Sequence, residues 1–296
     1  MAIRVTQNML NSNMLRNLHN SMRNLDKLQE QQATGKKINR PTDDPVGASR
    51  GMFYRSSLIE NEQYKNNADE AATWMDMTDE VMDQIGSIMK RVSELLVSSG
   101  NDTASAVDRQ AMGAEIKELK NQIGNLANQT VNGRYIFGGT DTTTPPYNET
   151  TGDFTSTNSS QIQVEISEKV FIAKNINAQP IFNYPDNANN MFKVLDNIVN
   201  TLQAGNPAAS FDAAISAQYD NLLSERAALG ARVNRIELVL DRLERAEVSL
   251  SDQQSKIEDA DMAEVATELS AEESVYKAAL SVGAKVIQPT LLDFLR

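Results

Sequence analysis

His19 is the only histidine in the sequence, and it stands in a stretch rich in Asn and Arg. A Ser-His-Asp relay or a His-based metal site needs convergent partners. The chain offers none nearby, so a solvated side chain is expected. Cysteine is absent, which removes thiol nucleophiles, disulfides and thiolate metal sites. Asp and Glu number 40, yet no pair is set apart in an apolar stretch that could hold one acid protonated beside an ionised partner. Charged helix faces account for them. The glycines of "GASRG" and "FGGT" lack the spacing and the lysine of a phosphate loop, and read as turns. Asn-x-Ser/Thr triplets at Asn101, Asn128, Asn148 and Asn158 are what an Asn- and Thr-rich chain produces freely. No enzyme, cofactor or metal is expected.

What remains is a chain of surfaces. The 296 residues are 40% apolar but only 5% aromatic, which suits long helices with thin seams. The formal charge is −12 and the pI about 4.7, so nucleic acid is not an expected partner, since duplex binding relies on Lys and Arg neutralising phosphates. Residues 1–60 run against this trend, with nine Lys/Arg to five Asp/Glu. No apolar run is long enough to span a membrane, and the opening segment lacks the apolar stretch of a secretory signal. A membrane-surface helix or a mitochondrial presequence could also be basic and Asn-rich, but Asp26 and Glu30 argue against the presequence.

Apolar positions Leu10, Met14, Leu18, Met22, Leu25 and Leu28 recur about every 3.6 residues, one stripe of a helix. Gly35, Pro41 and Pro45 interrupt the pattern, and Asp44 before Pro45 reads as an N-cap that starts a new helix. Ala71, Met75, Thr78, Met82, Ile85, Met89, Val92 and Leu96 alternate spacings of four and three, which is a heptad seam. The methionines lie on that seam, so packing explains them better than a plastic binding groove. A second seam, Met112, Ile116, Leu119, Ile123, Leu126 and Thr130, runs to Asn132-Gly133, a fitting helix C-cap. The two seams predict a helical hairpin.

From Tyr135 to about Asn190 the texture turns to Gly, Pro, Thr and alternating Ile162, Val164 and Ile166, a small β-rich insert. Helical pattern returns at Met191, Leu195, Ile198 and Leu202, and after Phe211 a long helix carries Leu229, Val233, Ile236, Leu240, Leu243, Leu250 and Ile257. Glu247 and Gln254 occupy seam positions there and predict looser or wetter pairing. Asp261 and Glu264, in capping-box spacing, open a last helix with Met262, Val265, Leu269, Tyr276, Leu280 and Ile287, followed by Pro289. The closing "QPTLLDFLR" carries Leu291, Leu292, Phe294 and Leu295, an apolar end where polar, frayed residues are usual.

Four stretches carry a resemblance. "GKKINRPTDDPVGAS" (Gly35 to Ser49) resembles the N-terminal motif of the flagellin superfamily, and "NLANQTVNGRYIFGGTDTTTPPY" (Asn125 to Tyr147) is similar to the signature of its hook-associated junction proteins. "IEDADMAEVATEL" (Ile257 to Leu269) and "QPTLLDFLR" are similar to the superfamily's C-terminal pattern. Flagellin itself, the nearest alternative, departs at "RYIFGGTDTTTPPY". An adhesin working through the β insert is an alternative from another class.

The resemblance implies a mainly α, elongated flagellin-like helical bundle, or coiled coil, with paired N- and C-terminal helices and a small β-rich inserted head. The expected division is terminal helices at 1–40 and 260–296, a central bundle at 41–139 and 190–259, and the insert at 140–189. It also implies export through the flagellar type III apparatus to the cell exterior, with a chaperone on the C-terminal helix. The subunit would lie between the other hook-associated junction protein and flagellin, and contact copies of itself. Both terminal stripes and the apolar tail are the expected assembly surface, because thin stripes cannot each bury a whole face within one monomer.

Overall fold

In a computed structural model, which describes residues 7–287, the chain is mainly helical, with a β-rich insertion. The elements are α1 (Gln7–Thr34), α2 (Pro45–Ser99), α3 (Ala106–Ala127), β1 (Thr130–Val131), β2 (Arg134–Tyr135), β3 (Tyr147–Asn148), β4 (Asp153–Phe154), β5 (Gln163–Ser167) and β6 (Val170–Ala173). A short α4 (Gln179–Phe182), α5 (Met191–Gln203), α6 (Asp212–Glu258) and α7 (Met262–Ile287) complete it. Local chemistry sets the starts. Asp44 Oδ1 accepts from the Val46 amide at 3.1 Å, Ser105 and Asp108 form a capping box on α3, and Asp261 Oδ1 accepts from Ala263 at 2.9 Å. α1 pairs with α7 and α2 with α6, the fold class expected from the sequence.

Two compact units divide the chain inside α2 and α6: residues through Glu60 with those from Ala246 on, and Asn61–Arg245. The larger unit holds the main core. Ala71, Met75, Thr78, Met82, Ile85, Met89, Val92 and Leu96 of α2 are at most 1% exposed. A second line, Trp74, Val81, Ile88 and Leu95, is also buried, so the buried face of α2 is wider than a two-stranded seam. This breadth is what a helix needs when several elements surround it. Those elements are α3 through Ile116 and Ile123, with Leu119 and Leu126 half-buried, α5 through Met191, Leu195, Ile198 and Leu202, and α6. On α6, Ile215, Leu222, Leu229, Ile236 and Leu243 are buried at every seventh position, with Val233 and Leu240 half-buried between them. Arg226 of α6 grips Asp79 of α2 at 2.7 and 2.9 Å and also pairs with Asp83. These hydrogen bonds outweigh the effect of burial and hold its guanidinium even more firmly protonated than usual.

The insert consists of three antiparallel two-stranded pairs, β1–β2, β3–β4 and β5–β6, and belongs to this same unit. Its core is aromatic. Phe182 lies edge-on to Phe137 with ring centres 5.1 Å apart, and stacks on Phe154 at 4.9 Å and Phe192 at 5.9 Å. Tyr147 lies against Phe192 at 4.8 Å and covers Gly124 of α3. Asn128 holds the Tyr147 backbone from both sides, accepting from its N–H at 2.9 Å and donating to its carbonyl at 3.0 Å. Ile136, Phe137 and Tyr147 of the junction-type signature are thus buried packing residues.

One local expectation is corrected. Asn132-Gly133 does not cap α3, which ends at Ala127 with Asn128 as its cap. It forms the tight turn joining β1 to β2, with φ of 51° and 76°, and positive φ at both central residues is the type I′ hairpin geometry. Thr130 accordingly lies in β1 and not on a helical seam.

Candidate assembly surface

In the smaller unit, α1 and α7 run antiparallel. Met14 meets Gly283, Ser21 meets Glu272, and Gly35 O accepts from the Ala260 amide at 2.9 Å. The side of α1 with least exposure is Asn11, Met14, Leu18, Ser21, Leu25 and Leu28; that of α7 is Val265, Leu269, Glu272, Tyr276, Ala279 and Gly283. Both alternate steps of three and four, a repeat of about 3.5 residues, as two helices must keep if they are to stay in contact while supercoiling. Of the stripe read from the sequence, Met14, Leu18, Leu25 and Leu28 keep to this seam and Met22 falls beside it. Met22 is 52% exposed while Ser21, beside it, is 7% exposed. Ser21 Oγ donates to Glu272 Oε1 at 2.7 Å, and Asn11 Oδ1 is buried without a hydrogen-bond partner. The pair is therefore closed mainly by Leu, Met, Val and Tyr side chains, with the small or polar residues Asn11, Ser21, Glu272, Ala279 and Gly283 set among them.

Met14, Leu18, Leu25, Leu28, Val265, Leu269 and Tyr276, taken from the sequence as assembly residues, lie in this intrachain seam. Met22, Met262 and Leu280 lie outside it, each more than 40% exposed. The side chains of Leu10 and Ile287, and all of Leu291, Leu292, Phe294 and Leu295, fall outside what is described. Leu250 and Ile257 of α6 are half-buried, Glu247 is exposed, and Gln254 donates to Glu258 at 3.2 Å. His19 is exposed on α1. Among the described residues no group of three His, Cys, Asp or Glu is placed to hold a metal, and no helix is long and apolar enough to cross a membrane.

Sequence reading missed a group of exposed apolar residues in this unit. Val46, Met52, Phe53 and Ile59 on the first turns of α2 are 60–66% exposed, while Gly47 and Gly51 on the same turns are buried. Leu15 on α1 and Val275 and Val282 on α7 are also more than half exposed. Apolar residues scattered singly are normal on a surface, whereas a run of them on successive turns is the kind of surface that interaction sites use. The signal was present in the sequence: Val46 and Phe53, and Met52 and Ile59, are each seven apart, directly after the helix start at Pro45.

Residues 5–142 match the bacterial flagellin N-terminal helical region, and residues 213–295 the bacterial flagellin C-terminal helical region. The flagellar hook-associated protein 3 of Escherichia coli is 30% identical over 259 residues, covering 78% of this chain and 80% of that protein. Its namesake from Salmonella typhimurium is 28% identical over 265 residues, covering 81% and 83%. A flagellar hook-associated protein structure from Vibrio parahaemolyticus shares the fold with a TM-score of 0.68 at 20% identity, over 73% of this chain and all of that one. The chain belongs to the flagellar hook-associated protein 3 family, a branch of the bacterial flagellins.

Proposed function

We propose that this chain is a structural, non-enzymatic subunit of the bacterial flagellum, an adaptor at the junction between hook and filament. It is exported through the flagellar type III apparatus, works outside the cell, and contacts copies of itself, the other hook-associated junction protein and flagellin. An export chaperone engages its C-terminal helix before assembly. The observation that carries this reading is the apolar surface left open on helices of the smaller unit whose opposite faces are already packed. A large side chain brought out of water contributes about 1.5–3 kcal/mol, so Val46, Met52, Phe53 and Ile59 together can supply several kcal/mol per contact before ordering costs. The names of the relatives, which associate those proteins with the hook, support the same placement.

The double variant Phe53→Asp and Ile59→Glu tests it. Both side chains are solvent-facing, so the isolated chain should melt within about 0.5 kcal/mol of the wild type. Its ability to restore motility to a deletion strain should be lost. Normal motility with this variant would refute the assembly role of the face. The deletion strain itself should shed unpolymerised flagellin into the medium; a strain that releases none would point to a filament subunit instead.

A further inference from the structure

Among the described residues, Glu258 is the only acidic residue that is fully buried, at 3% exposure. It ends α6, immediately before the turn into α7. Arg55 of α2 donates to Glu258 Oε2 at 2.6 Å, and Lys36 of the loop after α1 donates to it at 3.2 Å. Gln254 reaches the same oxygen from one turn earlier. The Glu258 carbonyl accepts from the Lys37 amide at 2.6 Å, and Lys36 forms a β-bridge with Asp259. Beneath the carboxylate lies Gly51, where a Cβ would come within 2.4 Å of Glu258 Oε1. One side chain thus joins the loop after α1, the first turns of α2, and the α6–α7 turn.

We propose that Glu258, as a carboxylate, is the positioning residue that clasps the terminal helix pair to the start of α2, and that acid opens this clasp. The proposal deepens the assembly reading, since it names what holds the assembling unit in shape. The charged groups facing Glu258 are Lys36 from the loop and Arg55 from α2; its other side-chain partner, Gln254 of α6, is neutral. The nearby acids are engaged elsewhere: Asp259 accepts from Ser255 and Asp261 caps α7. Burial alone would raise the Glu258 pKa, but hydrogen bonds from Arg55, Gln254 and Lys36 overcome it and hold the carboxyl below its ordinary 4.5. A carboxyl whose folded value is depressed stabilises fully above its unfolded value, and that contribution is lost as pH falls through the folded value.

Hydrogen exchange on the isolated full chain, with Glu258→Gln and Gly51→Ala, tests the clasp without reference to assembly. At pH 7, Glu258→Gln should make the Lys37 and Ala260 amides and the first turns of α7 exchange about tenfold faster or more. Lys36 and Arg55 are partly exposed and can turn to water, so complete unfolding is not expected. Amides of α3 and α5 should keep wild-type rates. Gly51→Ala should open the same amides although Ala favours a helix over Gly, so propensity alone predicts the opposite sign. On acid titration followed by far-UV circular dichroism, the wild type should lose helix below about pH 4.5, in a step that Glu258→Gln no longer shows. Wild-type exchange rates in Glu258→Gln, slower exchange in Gly51→Ala, an unchanged acid step, or equal effects in α3 and α5 would each overturn the proposal. So would a wild type whose Lys37 and Ala260 amides carry no protection. None of these results would bear on the motility test of Phe53 and Ile59.

Discussion

Phe182→Ala should lower the stability of the Asn61–Arg245 unit by about 3–5 kcal/mol, the range for removing a buried aromatic ring. The ring is fully buried and touches Phe137, Phe154 and Phe192. Its three neighbours come from the signature stretch, from β4 and from α5, so no single segment can relax to fill the space. Urea unfolding followed through Trp74, the only tryptophan and part of the same buried core, reads the effect directly. The midpoint should fall with the slope unchanged. A loss under about 1.5 kcal/mol would place Phe182 outside the effective core, since cavities left by buried aromatic side chains cost about twice that.

Gly124→Val should destabilise the same unit by about 3 kcal/mol, the upper part of the overpacking range. A Cβ at Gly124 would lie 2.2 Å from Tyr147 Cε1, 2.5 Å from Cζ and 2.7 Å from Cδ1. The tyrosine cannot easily retreat. The residue is 3% exposed, its ring is backed by Phe192, and its backbone is held on both sides by Asn128. For a unit of this size the loss corresponds to a fall in melting temperature of about 6–12 °C. Gly124→Ala should move stability in the same direction by less, against the helix propensity of alanine. A higher melting temperature for Gly124→Ala would mean that the tyrosine has room.

The long seams were legible because heptad spacing survives folding unchanged. Every α2 position read from Ala71 to Leu96 is buried, as are Ile116, Ile123, Leu229 and Ile236. What the pattern hid was breadth. Trp74, Val81, Ile88 and Leu95 form a second buried line, which one strand of sequence cannot distinguish from a half-exposed flank without its neighbours. Asn132-Gly133 was misread because the same dipeptide suits a helix end and a hairpin turn, and only the pairing of Thr130 with Tyr135 decides between them. Met22 alone of the described stripe residues on α1 falls off the seam, because a step of four from Leu18 lands one residue past Ser21, while Leu25 and Leu28 return to it. The exposure of Val46, Met52, Phe53 and Ile59 is not legible in the sequence because apolar spacing ordinarily marks what a helix buries, and here those residues are left outside.

The small and polar residues set in the α1–α7 seam, Ser21, Glu272, Ala279 and Gly283 among them, have a calorimetric consequence. Heat-capacity change on unfolding grows with apolar area exposed and falls with polar area. Separation of these two helices should change heat capacity less than separation of an all-apolar pair of the same length, and their stability should vary more gently between cold and warm conditions. If the exposed apolar residues of this unit join one subunit to the next, as proposed, steep temperature dependence in that joining would originate in them and not in the α1–α7 pair.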